Sequence, residues 1–267
     1  EIGSGLVGSE MCIRDRHMFN EITIGPLTLH TYGLMIGLGF LAAYAMCYYR
    51  GKKMKMEKSG DILYGIFWCA IIGGLVGTRL LYYIVEIPEI IKDPSILWNF
   101  KNGYVVYGGI IGGILVSWVY CRIKKVSFIE YFDLVMPAVA LAQGFGRIGC
   151  FFAGCCVGMR YQGPGSIRYL DNGAAGEYLF PVQLAETILF LLAFLLLHKM
   201  AERRRNGIIP KSLLLYAILK FALDYLRYYE DRKIFSANQW GCLLVAVSVL
   251  LYEAVRQIRQ RANNKVI

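Results

Sequence analysis

The chain has 267 residues, of which 57% are hydrophobic, and its mean hydropathy is +0.46. Soluble globular domains are about 45–50% apolar, so this composition excludes an ordinary water-soluble enzyme and leaves no room for a large soluble domain. The formal net charge is +10, which could suggest nucleic acid, but the positions of the cations argue against that partner.

The first segment, residues 1–17, differs from the rest of the chain. It has no apolar core and no cleavage pattern, so it does not fit a signal peptide. The stretch GSEMCIRDR within it resembles translated sequencing-adapter read-through. We therefore expect a non-native segment over 1–17, a natural start at Met18, and one transmembrane domain over 18–267.

Apolar runs then recur along the chain, each close to the roughly 20 residues that cross a hydrocarbon core as a helix. The predicted fold is therefore all-α: a polytopic membrane protein with about seven transmembrane helices. The predicted spans are 30–49, 61–86, 104–121, 132–151, 181–199, 209–228 and 237–255.

Lysine and arginine are concentrated after the first, third, fifth and last predicted spans, whereas the alternating loops carry acidic residues. Loops rich in lysine and arginine stay in the cytoplasm. The amino end is therefore expected outside and the carboxyl end inside, which requires an odd number of spans. The basic charge is explained by topology, so we expect no nucleic-acid partner.

Three cysteines lie close together in GRIGCFFAGCCVG at 146–158, namely Cys150, Cys155 and Cys156. A structural zinc site usually combines one cysteine pair with a second pair or with histidines. This stretch has neither, so we expect no metal and no cofactor. Three alternatives stay open: small residues packing a helix end, a disulfide that includes Cys150, and a thiolate activated by the nearby Arg147.

Charged residues inside predicted spans are the strongest functional signal, because a charge at the bilayer centre costs about 2.5–3.5 kcal/mol on insertion scales. Arg79 lies deep in the second span, and Arg147 lies at the end of the fourth. Lys220, Asp224 and Arg227 have the spacing of one helical face. We therefore expect Asp224 to neutralise Lys220 or Arg227.

Arginines at a membrane face suit a phosphate, because the guanidinium group binds phosphate through two parallel hydrogen bonds. The phosphate available there belongs to a phospholipid head group. Glycines near these cations could bring backbone N–H groups to an anion, or could let helices pack closely. The glycines concerned are Gly108, Gly109, Gly146 and Gly149.

Six segments, taken in order, are similar to segments of one known family. The chain resembles the bacterial phosphatidylglycerol–prolipoprotein diacylglyceryl transferases from about Ile24 to about Arg232. The segments are IGPLTLHTYGLM (24–35), GGLVGTRLLYY (73–83), NGYVVYGGIIGG (102–113), GRIGCFFAGCCVG (146–158), FPVQLAE (180–186) and KFALDYLR (220–227).

The resemblance implies an enzyme that transfers the diacylglyceryl group of phosphatidylglycerol to the lipobox cysteine thiol of prolipoproteins. It also implies three partners: phosphatidylglycerol, the prolipoprotein signal peptide and membrane lipid. The implied location is the bacterial cytoplasmic (inner) membrane, with the active site toward the outer leaflet.

The resemblance and the charge pattern together suggest three sets of site residues. The expected catalytic residues are Arg147, Tyr32 and Tyr107. The expected substrate- and phosphate-binding residues are Arg79, Lys220, Asp224, Arg227, Gly108, Gly109, Gly146 and Gly149. The expected supporting residues are His30, Cys150, Cys155 and Glu186.

The chain departs from the family pattern at five of these positions. The family's histidine before Gly-Gly is Tyr107, its signature Asn is Cys150, its signature Glu is Cys155, and its Arg and Glu in span six are Lys220 and Asp224. With a pKa near 10, tyrosine is a poor base at neutral pH. The alternative hypothesis is therefore a non-catalytic or repurposed membrane paralogue that binds lipid or thiols.

Overall fold

A computed structural model describes residues 21–24, 27–56, 59–98, 105–168, 176–203, 207–229 and 234–263. The segment expected to be non-native, 1–17, and the expected start at Met18 lie outside the described residues. The chain divides into two compact units. The first unit comprises residues 1–43 and 135–267, and the second comprises residues 44–134.

Helices dominate the described residues, and the strands are short. The first described residues form an antiparallel hairpin of β1 (Glu21–Ile24) and β2 (Leu27–His30), in which Glu21 lies opposite His30. A second short antiparallel pair joins β3 (Ile167–Arg168) to β4 (Tyr178–Leu179). The helices are α1 (Thr31–Lys53), α2 (Ser59–Val85), α3 (Ile87–Lys92), a 3-10 turn (Pro94–Trp98), α4 (Val106–Ile123), α5 (Phe128–Phe152), α6 (Val182–Arg203), α7 (Ile208–Asp224) and α8 (Ala237–Asn263).

Among the described residues, six helices are long and apolar enough to cross a membrane: α1, α2, α4, α5, α6 and α8. The prediction of an all-α polytopic membrane protein is confirmed. Apolar side chains on α8 are exposed, including Leu244 at 70% and Leu251 at 62%. Such exposure is unfavourable in water, because apolar surface is driven out of it, but it matches contact with lipid tails.

The predicted span at 209–228 differs most from the observed helix, because α7 has 17 residues and ends at Asp224. The chain leaves the helix there so that its backbone can pair with another segment. The Met159 amide donates to Leu226 O at 2.8 Å, and the Tyr228 amide donates to Val157 O at 3.2 Å. The predicted total of seven spans therefore stays a prediction.

The second unit depends on close packing between α2 and α4. A Cβ on Gly77 would lie 2.2 Å from Gly108 O, and a Cβ on Gly112 would lie 2.3 Å from Gly73 O. The helix backbones are therefore in direct contact, as in small-residue packing of membrane helices. A Cβ on Gly109 would likewise lie 2.6 Å from Thr78 Cγ2. Helix packing thus accounts for Gly108 and Gly109, which were expected to bind phosphate.

In the first unit, side chains bind backbone carbonyls of neighbouring helices. The Tyr216 hydroxyl on α7 donates to Met136 O of α5 at 2.7 Å. Gln239 Nε2 on α8 donates to Phe221 O of α7 at 3.3 Å. Buried donors of this kind fix the rotation of each helix, because an unpaired polar group in an apolar interior is costly. These contacts set the positions of α5 and α7 around the site.

We expect Gly77→Ala to destabilise the protein by about 1–3 kcal/mol, because overpacking forces the helix backbones apart. Gly74→Ala is the matched control, since a Cβ at Gly74 meets only Gly109 O at 3.8 Å. Thermal unfolding in detergent measures both variants. Equal unfolding temperatures for the two would contradict the described α2–α4 contact.

Candidate functional site

The site is centred on Glu186, which lies one turn inside α6 in the first unit. Its side chain is 1% exposed. Such a carboxylate is stable in an apolar interior only when it is paired and hydrogen-bonded. The residues that pair with it therefore define the site.

Three cations surround the Glu186 carboxylate, and each comes from a different segment. Arg147 Nε of α5 lies 2.9 Å from Oε2, and Lys220 Nζ of α7 lies 3.4 Å from Oε1. Arg227 Nη2, three residues beyond α7, lies 3.1 Å from Oε1. We call Glu186, Arg147, Lys220 and Arg227 the cation cluster.

The cation cluster carries more positive than negative charge, because one carboxylate faces three cations. The side chains of Arg147 and Arg227 are each 17% exposed, and that of Lys220 is 27% exposed. Each cation therefore keeps a part of its surface outside the ion pairs. A partly buried site with excess positive charge is suited to an anion, and two guanidinium groups favour a phosphate in particular.

The segment after α5 holds Arg227 in place through backbone contacts. Gly158 forms an antiparallel bridge with Arg227. The Phe180 amide donates to Met159 O at 2.9 Å, which ties the same segment to the start of α6. A Cβ on Gly158 would lie only 2.2 Å from Phe180 O, so a glycine is required here.

Three thiols lie beside the cation cluster. The Sγ atoms of Cys150, Cys155 and Cys156 are all within 4.8 Å of one another, and Arg147 Nη1 lies 3.9 Å from Cys150 Sγ. We call these cysteines the thiol cluster. The other two thiols, which donate to its sulfur, and the nearby Arg147 and Arg227 lower the pKa of the Cys156 thiol.

The end of α5 explains how the thiols come together. Gly154 has φ +63°, the Cys155 amide donates to Cys150 O at 3.2 Å, and the Gly154 amide donates to Phe151 O at 3.3 Å. This is a Schellman motif, which brings the side chains at the positions of Cys150 and Cys155 into contact. Cys156 follows at φ +56° and completes the cluster.

Tyr32 lies in the first turn of α1 and packs on α5 where Gly149 has no side chain. A Cβ on Gly149 would lie 3.2 Å from Tyr32 Cδ2. The charges of Arg147 and of the thiol cluster act on Tyr32, so the tyrosine lies close to the cation cluster. An added Cβ at Gly146 would meet nothing within 4 Å, which leaves that side of the helix open.

Asp224 corrects a sequence expectation. Among the described residues Lys220 and Arg227 pair with Glu186 instead, whereas Asp224 accepts hydrogen bonds from the hydroxyls of Tyr229, at 2.9 Å, and Ser236. The helical-face argument was wrong for Arg227, because α7 ends at Asp224. Asp224 instead holds Tyr229 and Ser236, which lie beyond α7 in the chain.

Arg79 and Tyr107 belong to the second unit, where they have different surroundings. Arg79 Nε donates to Tyr83 Oη at 2.8 Å, and its Nη2 donates to Ile96 O at 3.3 Å. Its guanidinium lies 4.8 Å from the centre of the Tyr83 ring. Arg79 therefore joins α2 to the 3-10 turn. Tyr107 lies in the first turn of α4 and is 55% exposed.

The structure also locates two of the expected supporting residues. His30 is an exposed residue at the end of β2. Glu186, expected only to support the site, is its central anion. The available signal was a glutamate in the first turns of an apolar span, because a buried carboxylate needs cationic partners.

Fold and site together define a polytopic helical membrane protein in which three cations surround one buried carboxylate. Comparison with known proteins identifies the family. The model of the prolipoprotein diacylglyceryl transferase family matches residues 20–254, and the chain belongs to this family.

Three relatives illustrate the similarity, and each is named as a phosphatidylglycerol–prolipoprotein diacylglyceryl transferase. The protein of Clostridium tetani is 40% identical over 205 residues, which are 75% of this chain and 82% of the relative. The second enzyme of Clostridium perfringens is 34% identical over 88% of this chain and 94% of its own length. That of Chromohalobacter salexigens is 30% identical over 82% of each chain.

We expect Glu186→Gln to destabilise the protein by about 3–5 kcal/mol, because it leaves three cations without their shared carboxylate. Thermal unfolding of the purified protein tests this. The matched control is Glu177→Gln, which removes an exposed carboxylate that pairs with Arg160 and should change stability little. A similar small effect of both variants would refute the central role of Glu186.

Proposed function

We propose that this chain transfers the diacylglyceryl group of phosphatidylglycerol to the lipobox cysteine thiol of prolipoproteins, a step in lipoprotein biogenesis. Membership of the family supports this function. The observation that carries it within the structure is the cation cluster, in which Glu186 holds Arg147, Lys220 and Arg227 together with excess positive charge.

The reaction has two requirements: stabilisation of the leaving phosphate and deprotonation of the acceptor thiol. The acceptor sulfur attacks the glycerol carbon that bears the phosphate, a carbon–sulfur bond forms, and the carbon–oxygen bond breaks. Its electron pair leaves on the phosphate oxygen, so glycerol phosphate departs with more negative charge. Fixed cations accelerate such a step, because they stabilise charge that develops in the transition state. The acceptor thiol must also lose its proton.

Arg147 is the proposed phosphate clamp. Its Nε is bound to Glu186 while Nη1 faces Cys150 Sγ at 3.9 Å. The carboxylate therefore orients the guanidinium group. The edge of that group formed by Nη1 and Nη2 is left for a ligand. Arg227 and Lys220 are proposed to bind the same phosphate. Lys220 is a point charge and orients a phosphate less strictly than an arginine does.

Tyr32 is proposed to position the head group from its place beside Gly149. Tyr107, which replaces the family's histidine, is proposed to hydrogen-bond the substrate rather than to act as a base. Arg79, with its guanidinium bound to Tyr83 and to backbone carbonyls, is proposed to act mainly by holding the 3-10 turn. Glu186 is a positioning residue, because it acts through the cations.

We propose that the protein lies in the bacterial cytoplasmic membrane with its amino end outside, its carboxyl end in the cytoplasm and its site toward the outer leaflet. The alternation of basic and acidic loops supports this orientation. The prolipoprotein would then present its signal peptide from within the same membrane.

We expect Arg147→Ala to lower the transfer rate about 10²–10³-fold, which is the effect of removing one preorganised donor to a developing anion. Arg147→Lys should recover only part of the rate, because lysine cannot bind phosphate through two parallel bonds. The assay follows lipid labelling of a reporter prolipoprotein in cells depleted of their own transferase.

Arg160→Ala is the matched control for this assay, because Arg160 is an exposed arginine of the same unit that pairs with Glu177. Its rate should equal that of the unmodified chain. No transfer by the unmodified chain, when an authentic transferase restores labelling, would contradict the proposed function and favour a non-catalytic, lipid- or thiol-binding paralogue.

The orientation has its own test, because exposed residues flank α2 on both sides. Glu89→Cys places a thiol on α3, in the acidic segment after α2, and Lys55→Cys places one in the basic segment before α2. A membrane-impermeant maleimide applied to intact spheroplasts should increase labelling over the unmodified chain only for Glu89→Cys. The opposite pattern would reverse the proposed orientation.

A further inference from the structure

We infer that Cys150, Cys155 and Cys156 form a three-thiolate site for a thiophilic d¹⁰ metal ion, Zn²⁺ in the first instance, whose open fourth position binds the acceptor thiol. This inference rests on the proposed function for the identity of the acceptor. The metal site itself rests only on the arrangement of the three sulfurs.

The distances suit a metal site. The three Sγ atoms lie within 4.8 Å of one another, and tetrahedral zinc with bonds of about 2.3 Å requires sulfurs about 3.8 Å apart. Side-chain rotation alone can close this difference, since Cys155 and Cys156 are exposed. A disulfide requires about 2.05 Å and uses only two sulfurs, so it does not explain why three converge.

Backbone contacts position the three cysteines close to one another. The Schellman motif at the end of α5 fixes Cys155 against Cys150. Gln183 Nε2, from the first turn of α6, donates to Cys155 O at 2.9 Å and anchors the loop. Cys156 has φ +56°, a conformation that a non-glycine residue adopts rarely. The third thiol is thus brought to the first two by a specific turn.

Charge also favours metal binding here. Zinc with four thiolates carries a formal charge of −2, and the cation cluster has three cations against one carboxylate. The two charges are opposite and adjacent, since Arg147 Nη1 lies 3.9 Å from Cys150 Sγ. The excess positive charge therefore offsets the negative charge of such a complex.

The fourth coordination position of the metal has a role in the proposed reaction. Catalytic zinc sites have three protein ligands and one position for water or substrate, and a thiol that coordinates zinc is deprotonated outright. The acceptor thiol would displace water and release its proton to solvent. Its sulfur would then attack the glycerol carbon while the cations hold the departing phosphate. This supplies the deprotonation for which Tyr107 is poorly suited.

The test starts with metal binding, which is independent of turnover. The full chain is purified in detergent with a phosphine reductant, freed of metal, and titrated with Co²⁺ and then Zn²⁺. We expect one Co²⁺ per chain with thiolate-to-cobalt absorption bands, displaced by Zn²⁺. Cys150→Ser, Cys155→Ser and Cys156→Ser should each weaken binding by more than the roughly 10–100-fold typical of outer-shell changes.

Cys69→Ser is the matched control, because Cys69 lies in α2 of the second unit, outside the thiol cluster. It should leave Co²⁺ binding unchanged. Absence of the thiolate bands in the unmodified chain overturns the inference. So does the same loss of binding in the Cys69→Ser control.

The role of the fourth position is tested with two lipobox peptides that differ only in Cys or Ser at the acceptor. The Cys peptide should shift the cobalt bands and the Ser peptide should not. Removal of metal should lower transfer at least 10-fold, and Zn²⁺ should restore it. Full transfer by metal-free protein overturns the inference while leaving the proposed function intact.

Failure of the proposed function can be distinguished from failure of the metal site. If no metal state supports transfer, the peptide experiment still decides the inference. Cobalt bands that respond to the Cys peptide support the site, and bands that ignore it overturn the site. A Cys150–Cys155 disulfide in protein that transfers at full rate also overturns it.

Discussion

The Glu186 carboxylate, buried in α6 and shared by three cations, is the interaction on which the rest of the site depends. Each cation would be costly to bury alone, because a charge that leaves water must be paired. Together they draw α5, α6 and the end of α7 toward one point. One carboxylate does not neutralise three cations, so the site keeps a net positive charge.

This arrangement explains features that otherwise look unrelated. The last turn expected for α7 is given up so that the chain beyond Asp224 can pair with residues 157–159, which brings Arg227 to Glu186. Gly158 must be a glycine because it passes against Phe180 O. Asp224 then holds the following segment through Tyr229 and Ser236. The protein thus loses the last expected turn of α7, and Arg227 comes to lie beside Glu186.

The sequence predicted six of the spans well, because a membrane leaves few choices for an apolar run of about 20 residues. It predicted the charged residues of the site for the same reason, since a charge in a span needs an explanation. It failed to predict which charged residues form ion pairs with one another. The spacing of Lys220 and Asp224 favoured a partner on the same helix, whereas the true partner, Glu186, lies 34 residues away. Pairing across helices depends on their packing, which periodicity does not contain.

The arrangement of the cysteines also depends on the folded geometry and not on their spacing in the sequence. From the sequence alone, a C-x₄-C-C pattern without a second pair argues against a metal, because the spacing rule assumes that ligands come in pairs along the chain. The Schellman motif replaces that rule with geometry, since Gly154 folds Cys155 back onto Cys150 and the next residue turns in after it. This chain thus has three sulfurs beside a guanidinium group. The same three sulfurs are the ligands of the proposed metal site, and a metal there would supply the deprotonation of the acceptor thiol for which Tyr107 is poorly suited.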